Sequence, residues 1–274
     1  MSTISNGSVD LHVEDTGGDG RPVVLIHGWP LSGASWAATV PALTGAGHRV
    51  VTYDRRGFGQ SSKPGEDASY DYDTLTGDLD AVLTGLDLRD VSLVGFSMGG
   101  GEVARYLGTR GDERVHSAVF AAAIPPNLKK DQAHPDGALD DATVEGMQQD
   151  LAADPSGFLD GFLTTFFSAN GELKVTEDQR REALALAAQA DVHAAVQCIR
   201  SWVEDFTGDL DTVTVPTLVI HGDADAIVPL EVSGQRTAER VPGAQLHVIG
   251  DGPHGINDSH TEEFNRVLVE FLAR

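Results

Sequence analysis

The sequence has one cysteine, Cys198, and only four lysines among its 274 residues. A single cysteine excludes an intrachain disulfide and argues against a thiolate metal cluster. No apolar run reaches the roughly 18 residues that a membrane-spanning helix needs. The N-terminal residues lack the basic and apolar regions of a secretory signal peptide. We therefore expect a cytoplasmic protein.

Cationic side chains are scarce in general. Lys and Arg together number 19 against 42 Asp and Glu, which gives a formal net charge of -23. Nucleic acids and anionic membrane surfaces attract proteins with a basic face, so this balance argues against both as partners. An acidic, lysine-poor surface keeps a protein soluble in strong salt. Two explanations account for this acidic, lysine-poor composition: a salt-adapted source, or an Ala- and Asp-rich sequence from a GC-rich genome. Melting temperatures measured with and without molar salt would distinguish them.

Short apolar runs recur along the chain and predict strands. They are rich in Val and Ile and apolar on consecutive positions, as expected of parallel strands that are covered on both faces. They lie at residues 22–26, 49–52, 91–94, 115–121, 216–220 and 245–249. Amphipathic stretches near residues 33–43, 74–86, 99–109 and 261–272 predict helices. This alternation predicts an α/β protein with a mostly parallel, doubly wound sheet. Ahead of the first run, Asn6-Gly7 predicts a tight hairpin turn with two positive-φ residues.

Residues 124–214 break this alternation, because they contain helical patterns and loops but no clear strand. We predict a helical cap at 124–214, inserted into a core formed by residues 1–123 and 215–274. The insert carries 17 acidic and six basic residues, so its outer face is expected to be acidic. Phenylalanines recur at helical spacing within residues 158–166, which favours packing against the core over contact with a substrate.

The segment Gly95-Phe-Ser-Met-Gly99 follows a predicted strand and precedes a predicted helix. It fits the G-x-S-x-G nucleophile elbow in its strand–turn–helix context. Such a turn lifts the hydroxyl of Ser97 out of the sheet, and glycines are needed around it because a Cβ atom would not fit. The helix that follows directs the positive end of its dipole at the hydroxyl oxygen. Ser97 is therefore the predicted nucleophile.

A serine nucleophile needs a histidine base and an acid that orients this histidine. In hydrolases of this architecture the order along the chain is Ser, acid, His, and the acid follows a late strand. Asp223 and Asp225 both follow the strand at 216–220, and one of them is expected to close an Asx-turn instead. His254 lies in a turn directly after the last strand and is the predicted base. Its rival, His260, opens the last helix and is expected to be a surface or capping residue.

An oxyanion hole needs two backbone N–H groups that converge on the developing charge. One is predicted at Met98, directly after the nucleophile, and the other at Trp29, in the loop after the strand at 22–26. His27 in the same loop is interpreted as structural. The glycine-containing segment at 54–59 lacks the G-x-G-x-x-G pattern, so nucleotide binding is not supported.

Five segments together resemble the α/β-hydrolase superfamily and, within it, the cofactor-free haloperoxidase or perhydrolase–arylesterase family. They are His27-Gly-Trp-Pro30, Asp54-Arg-Arg-Gly-Phe-Gly-Gln-Ser61, Gly95-Phe-Ser-Met-Gly-Gly100, His221-Gly-Asp-Ala-Asp-Ala-Ile-Val-Pro229 and Gly252-Pro-His-Gly255. The resemblance covers nearly the whole chain and is weakest over residues 128–211. It selects Asp225 as the acid that partners His254. Pro30 stands where family members that favour hydrogen peroxide often have proline. The substrate contacts that the resemblance implies are Trp29, Ile124, Leu128 and Ile227.

The resemblance implies a serine hydrolase that acts on small carboxylic esters through an acyl-enzyme and needs no haem, metal or flavin. Where hydrogen peroxide replaces water, the product would be a peracid that oxidises halide away from the protein. The expected partner is a small-molecule ester, with short acyl chains preferred because Trp29 and Ile227 are bulky. Members of the family often form homo-oligomers. The alternatives are a carbon–carbon bond hydrolase or lactonase with the same triad, and a hydrolase-like receptor that only binds its ligand.

Overall fold

The computed structural model describes residues 2–274, in which strands and helices alternate over most of the chain. The strands are β1 (Ser2–Asn6), β2 (Val9–Asp15), β3 (Pro22–Ile26), β4 (Arg49–Tyr53), β5 (Val91–Phe96), β6 (Val115–Ala121), β7 (Ser168–Ala169), β8 (Glu172–Leu173), β9 (Thr217–Gly222) and β10 (Gln245–Ile249). The helices are α1 (Val40–Gly45), α2 (Tyr72–Gly85), α3 (Met98–Arg110), α4 (Asp141–Ala153), α5 (Pro155–Phe166), α6 (Glu177–Ala187), α7 (Val192–Ser201), α8 (Thr207–Leu210), α9 (Gly234–Arg240), α10 (Ile256–Ser259) and α11 (Thr261–Leu272). None of the helices found in residues 2–274 has the length and apolar character needed to cross a bilayer.

Within residues 2–274, eight of the strands form one sheet, in the order β1-β2-β4-β3-β5-β6-β9-β10. All neighbours from β4 to β10 run parallel, whereas β1 and β2 form an antiparallel extension beside β4. Every residue of β5 and β9 is buried, as expected of central parallel strands with helices on both faces. The predicted α/β class and the mostly parallel, doubly wound sheet are therefore confirmed.

The strand and turn predictions differ from the structure at both ends of the sheet. β10 forms one edge, so Leu246 and Val248 are each 40% exposed instead of covered on both faces. In the first hairpin Asn6 pairs with Val9 inside the strands, and Gly7 alone of the predicted pair takes a positive φ, of 61°. The prediction of two positive-φ turn residues is therefore wrong, because the turn lies one residue further along the chain.

The helix predicted near residues 33–43 is divided in two. A 3₁₀ turn covers Gly33–Trp36, and α1 begins only at Val40 with Pro41 in its first turn. Proline donates no N–H and its ring clashes with the carbonyl four residues earlier, so a helix cannot run through this position without a kink. The other three predicted helices appear as α2, α3 and α11.

Helices α4 to α8 lie between β6 and β9, together with a hairpin of the two-residue strands β7 and β8. The sequence shows no clear strand there, since two residues are too few to give a periodic signal. The segment is tied to the loops of the sheet: the carbonyl of Phe166 accepts from the Gly255 N–H, and the Phe206 N–H donates to the carbonyl of Pro126. The division into a cap at 124–214 and a core stays a prediction.

Candidate active site

Ser97 stands at the sharp turn between β5 and α3. Its φ is 53° and its ψ is −118°, a strained conformation for a residue with a side chain. The turn is tightly packed, since a Cβ atom on Gly95 would collide with the backbone of Gly99, and one on Gly99 with the carbonyl of Ile26. Both glycines of the motif are therefore required by sterics.

Three side chains from three separate loops form one hydrogen-bonded chain. Nε2 of His254 lies 2.9 Å from Oγ of Ser97, and its Nδ1 lies 2.7 Å from Oδ2 of Asp225. All three residues are buried. They follow β5, β9 and β10, whose carboxyl ends meet at one edge of the sheet. With Nδ1–H donating to Asp225, Nε2 is free to accept the hydroxyl proton of Ser97.

The carboxylate of Asp225 is held by other groups besides His254. Its Oδ1 accepts from the N–H groups of Ile227 and Val228 at 2.9 and 2.8 Å. The fully buried His221 donates from Nε2 to the carbonyl of Val228, and the same nitrogen lies 3.3 Å from Oδ2 of Asp225. Burial alone would raise the pKa of the Asp225 carboxyl, but the interactions with His254 and His221 outweigh it and hold that pKa well below its usual range. Asp225 is therefore ionised at neutral pH.

The competing acid and base lie apart from this chain of hydrogen bonds. Asp223 is exposed, and the Asx-turn expected of one acid is closed by Asp225 itself through the Ile227 N–H. His260 directly precedes α11, with its Nδ1 2.9 Å from Oγ of Ser259. The structure thus brings Asp225 and His254, rather than Asp223 and His260, to Ser97.

Two backbone amides next to Ser97 have no acceptor. Within residues 2–274, no protein group accepts from the N–H of Trp29 or of Met98. The backbone of Gly28 packs directly on the nucleophile, since a Cβ atom there would lie 3.1 Å from the Ser97 Cβ. The carbonyl of Met98 accepts from the Tyr72 hydroxyl over 2.9 Å. Unpaired N–H groups held in place by their surroundings are what an oxyanion hole requires.

Buried polar groups brace the loop that carries Trp29. The Arg55 N–H donates to Nε2 of His27 over 3.0 Å, and Nη2 of Arg55 donates to the His27 carbonyl over 2.7 Å. Because Nε2 accepts, the hydrogen of the ring is on Nδ1, which lies 2.8 Å from the Gly28 carbonyl. Burial, and after it the charge of Arg55, lowers the pKa of His27 well below its ordinary value, so the ring is neutral. These contacts agree with the interpretation of His27 as a structural residue.

A cavity of about 200 Å³ adjoins the Ser97 side chain. Its wall includes all the predicted substrate contacts, namely Trp29, Ile124, Leu128 and Ile227. Segments beyond β6 contribute Leu139, Met147, Phe162 and Trp202. Phe162 packs on the core as expected, with its ring centroid 4.9 Å from that of Trp29, and it also lines the cavity. No charged side chain of residues 2–274 lines this space, so it suits a neutral, apolar group.

A second, larger cavity of about 430 Å³ lies between α5, α6 and α7. Its wall is mostly apolar and reaches Pro30, but it includes none of Ser97, Asp225 and His254. Across residues 2–274, no group of three or more His, Cys, Asp and Glu side chains is arranged to hold a metal ion. We therefore locate the candidate active site at the smaller cavity, where a nucleophile is present.

Comparison with known proteins assigns the family. Residues 21–261 match the model of the alpha/beta hydrolase fold. This chain belongs to the α/β-hydrolase fold family. The crystal structure of a bromoperoxidase from Bacillus anthracis is similar to it with a TM-score of 0.96 and 48% identity, over 100% of this chain and 99% of that one.

Two curated relatives also match over nearly their whole length. A non-heme chloroperoxidase from Kitasatospora aureofaciens is 42% identical over 270 residues, which cover 97% of each chain. A bifunctional esterase/perhydrolase from Acinetobacter calcoaceticus is 34% identical over 271 residues, or 96% of each chain. These relatives confirm the resemblance to the cofactor-free haloperoxidases and perhydrolases, and with it the predicted enzyme class, an ester hydrolase.

Some residues of the site have no clear signal in the sequence. His221 belongs to the same motif segment as Asp225, but only the folded loop brings its Nε2 next to the carboxylate. Met147 and Trp202 lie in the region where the family resemblance is weakest, so no motif points to them. A strand-end histidine that precedes the acid by four residues is the one pattern that could have drawn attention to His221.

Proposed function

We propose that this protein is a serine hydrolase that cleaves small carboxylic esters through an acyl-enzyme formed on Ser97. The observation that carries the proposal is the hydrogen-bonded chain from Ser97 through His254 to Asp225, which adjoins an uncharged cavity. A hydroxyl, an imidazole and a carboxylate in this order are the groups that acyl transfer requires.

In the first step Oγ of Ser97 attacks the ester carbonyl while Nε2 of His254 takes the hydroxyl proton. The negative charge that develops on the carbonyl oxygen is stabilised by the N–H groups of Met98 and Trp29. The ionised Asp225 stabilises the imidazolium, which then protonates the departing alcohol. The acyl group stays on Ser97, inside the cavity.

In the second step water attacks the acyl-enzyme, with His254 now acting as the base, and the carboxylic acid leaves. Hydrogen peroxide in place of water gives a peracid by the same route. The peracid oxidises halide to hypohalous acid away from the protein and is itself reduced to the carboxylic acid. Pro30, which follows the oxyanion residue Trp29, supports this peroxide reaction through the family resemblance.

We further propose short or otherwise small acyl groups as substrates. The cavity of about 200 Å³ is smaller than the sites of about 300–1,000 Å³ that bind drug-sized ligands. A cytoplasmic location and a homo-oligomeric state are also proposals; sedimentation of the purified protein tests the second.

The test is ester turnover with and without the Ser97 hydroxyl. Ser97→Ala should abolish hydrolysis of p-nitrophenyl acetate, and an alkyl fluorophosphonate should modify Ser97 in the wild type only. Ser69→Ala, at an exposed serine, is the control and should keep full activity. Substantial turnover by Ser97→Ala would remove Ser97 as nucleophile. A wild type that binds esters without cleaving them would point to a receptor.

A further inference from the structure

Met147 is a thioether placed in the wall of the catalytic cavity. It lies on α4, is partly buried and lines the same cavity as Ser97. Met98, although next to Ser97 in the chain, is completely buried and does not line this cavity. In the part of the chain that the structure describes, Met147 is therefore the sole methionine that lines the cavity next to Ser97.

We propose that Met147 is a self-oxidation site, converted to methionine sulfoxide by the peracid that the enzyme makes at Ser97. The proposal rests on the peroxide reaction described under the proposed function. A peracid released from Ser97 is formed inside the cavity that Met147 lines, so the sulfur meets it before it is diluted in solvent.

The oxidation step needs no further reagent. The sulfur lone pair attacks the terminal peroxy oxygen, an S–O bond forms and the O–O bond breaks. The proton of the peracid passes to the departing carboxylate, which leaves as the carboxylic acid. The sulfur is oxidised by two electrons and the peracid is reduced by two. Hydrogen peroxide, which is less electrophilic than a peracid, does the same more slowly.

The product changes the character of the cavity. Methionine sulfoxide is polar, whereas the wall that Met147 shares with Leu139 and Phe162 is apolar. A polar S=O group in this wall is removed from water without a hydrogen-bond donor to replace it, which is unfavourable. It also weakens the binding of an apolar acyl group. Peroxide turnover should therefore lower the enzyme's own activity, chiefly through a higher KM. Sulfoxide reductases reverse this modification, so the loss would be reversible.

The experiment follows oxidation and peracid formation in the same samples. The wild type is incubated with phenyl acetate and hydrogen peroxide, with peroxide alone, and with added peracetic acid; Ser97→Ala receives the ester and peroxide. Peracid is measured by bromide oxidation, and peptide mass spectrometry measures the addition of one oxygen at Met147 and at Met98. We expect Met147 to oxidise several-fold faster in the turning-over wild type than in Ser97→Ala or with peroxide alone. Met98 should remain reduced in these samples.

Two variants test the consequence for activity. Met147→Leu, compared with its own starting rate, should keep most of its activity over a number of turnovers that removes most of the wild-type activity. Met147→Gln places a polar group in the wall and should raise the KM for apolar esters more than it lowers kcat.

Each contrary outcome has a distinct meaning. Peracid formation with Met147 still reduced, or with Met98 oxidised equally fast, overturns the self-oxidation proposal alone. The same holds if Met147→Leu loses activity as fast as the wild type. No peracid in the wild-type sample overturns the proposed peroxide reaction, and self-oxidation with it, even where added peracetic acid oxidises Met147.

Discussion

Arg55 and Glu102 form an ion pair from which solvent is completely excluded. Nε of Arg55 donates to Oε1 of Glu102 over 2.7 Å, and the Tyr53 hydroxyl donates to Oε2. Arg55 also holds the carbonyl of His27, whereas Glu102 lies one turn along α3 from Met98. The pair therefore connects the two segments that carry the predicted oxyanion amides.

Removing the charge of Glu102 should destabilise the fold strongly. Glu102→Gln leaves Arg55 buried without its counter-charge, which typically costs about 3–5 kcal/mol. Urea unfolding of the variant measures the loss in the free energy of unfolding. The matched control is Glu270→Gln, which removes an exposed pair with Arg266 on α11 and should cost less than about 1 kcal/mol. Equal, small losses in the two variants would contradict a structural role for the buried pair.

Replacing the proposed base should distinguish the role of His254 from that of His260. His254→Ala removes the group 2.9 Å from Oγ of Ser97 and should lower kcat for p-nitrophenyl acetate by about 10³-fold or more. His260→Ala, at the start of α11, should stay within about twofold of the wild type, since its ring contacts Ser259 instead. If kcat falls strongly in His260→Ala while His254→Ala stays active, the catalytic base is His260 and not His254.

The two acids of the loop after β9 should also behave differently. Asp225→Asn turns the partner of His254 into an amide that favours the wrong tautomer, and we expect kcat to fall by about 10³–10⁴-fold. Asp223→Asn changes an exposed residue and should leave kcat nearly unaltered. Circular dichroism of both variants checks that they fold. If Asp223→Asn is the more damaging change, Asp223 is the catalytic acid.

Asp258, on α10 just after His254, should make stability depend on pH. Burial raises the pKa of its carboxyl from 3.8 to about 6, so the folded state binds the proton more tightly than the unfolded state. The stabilisation this gives is complete below about pH 4 and is lost as the pH rises through about 6. Asp258→Asn, which stays neutral, should therefore be more stable than the wild type at pH 8 by at most about 3 kcal/mol.

Melting temperatures of this variant and the wild type, measured from pH 4 to pH 8, give the comparison. The difference should be largest at pH 8 and should vanish near pH 4. A constant difference across the range would show that titration of Asp258 is not its cause.

The sequence predicts much of the fold because its signals are local. The run at 115–121, for example, shows a strand through its β-branched and apolar residues, and the structure has β6 over the same residues; the run at 245–249 likewise becomes β10. The sequence of the run at 245–249 does not show which position its strand takes in the sheet. The exposure of Leu246 and Val248 follows from the absence of a further strand beside β10 in residues 2–274, which depends on the path of the whole chain.

By itself, the sequence determined the chemical groups of the site and their order along the chain, because the elbow glycines around Ser97 and the strand-end loops are short-range patterns. The tertiary structure decided between near neighbours. Asp223 and Asp225 have the same functional group and lie two residues apart. Only the loop conformation turns Asp225 toward His254 and leaves Asp223 in solvent. The position of Met147 also depends on tertiary structure. This residue is 50 positions from Ser97 in the sequence, and the packing of α4 brings it to the same cavity. No local pattern encodes a contact between such distant segments.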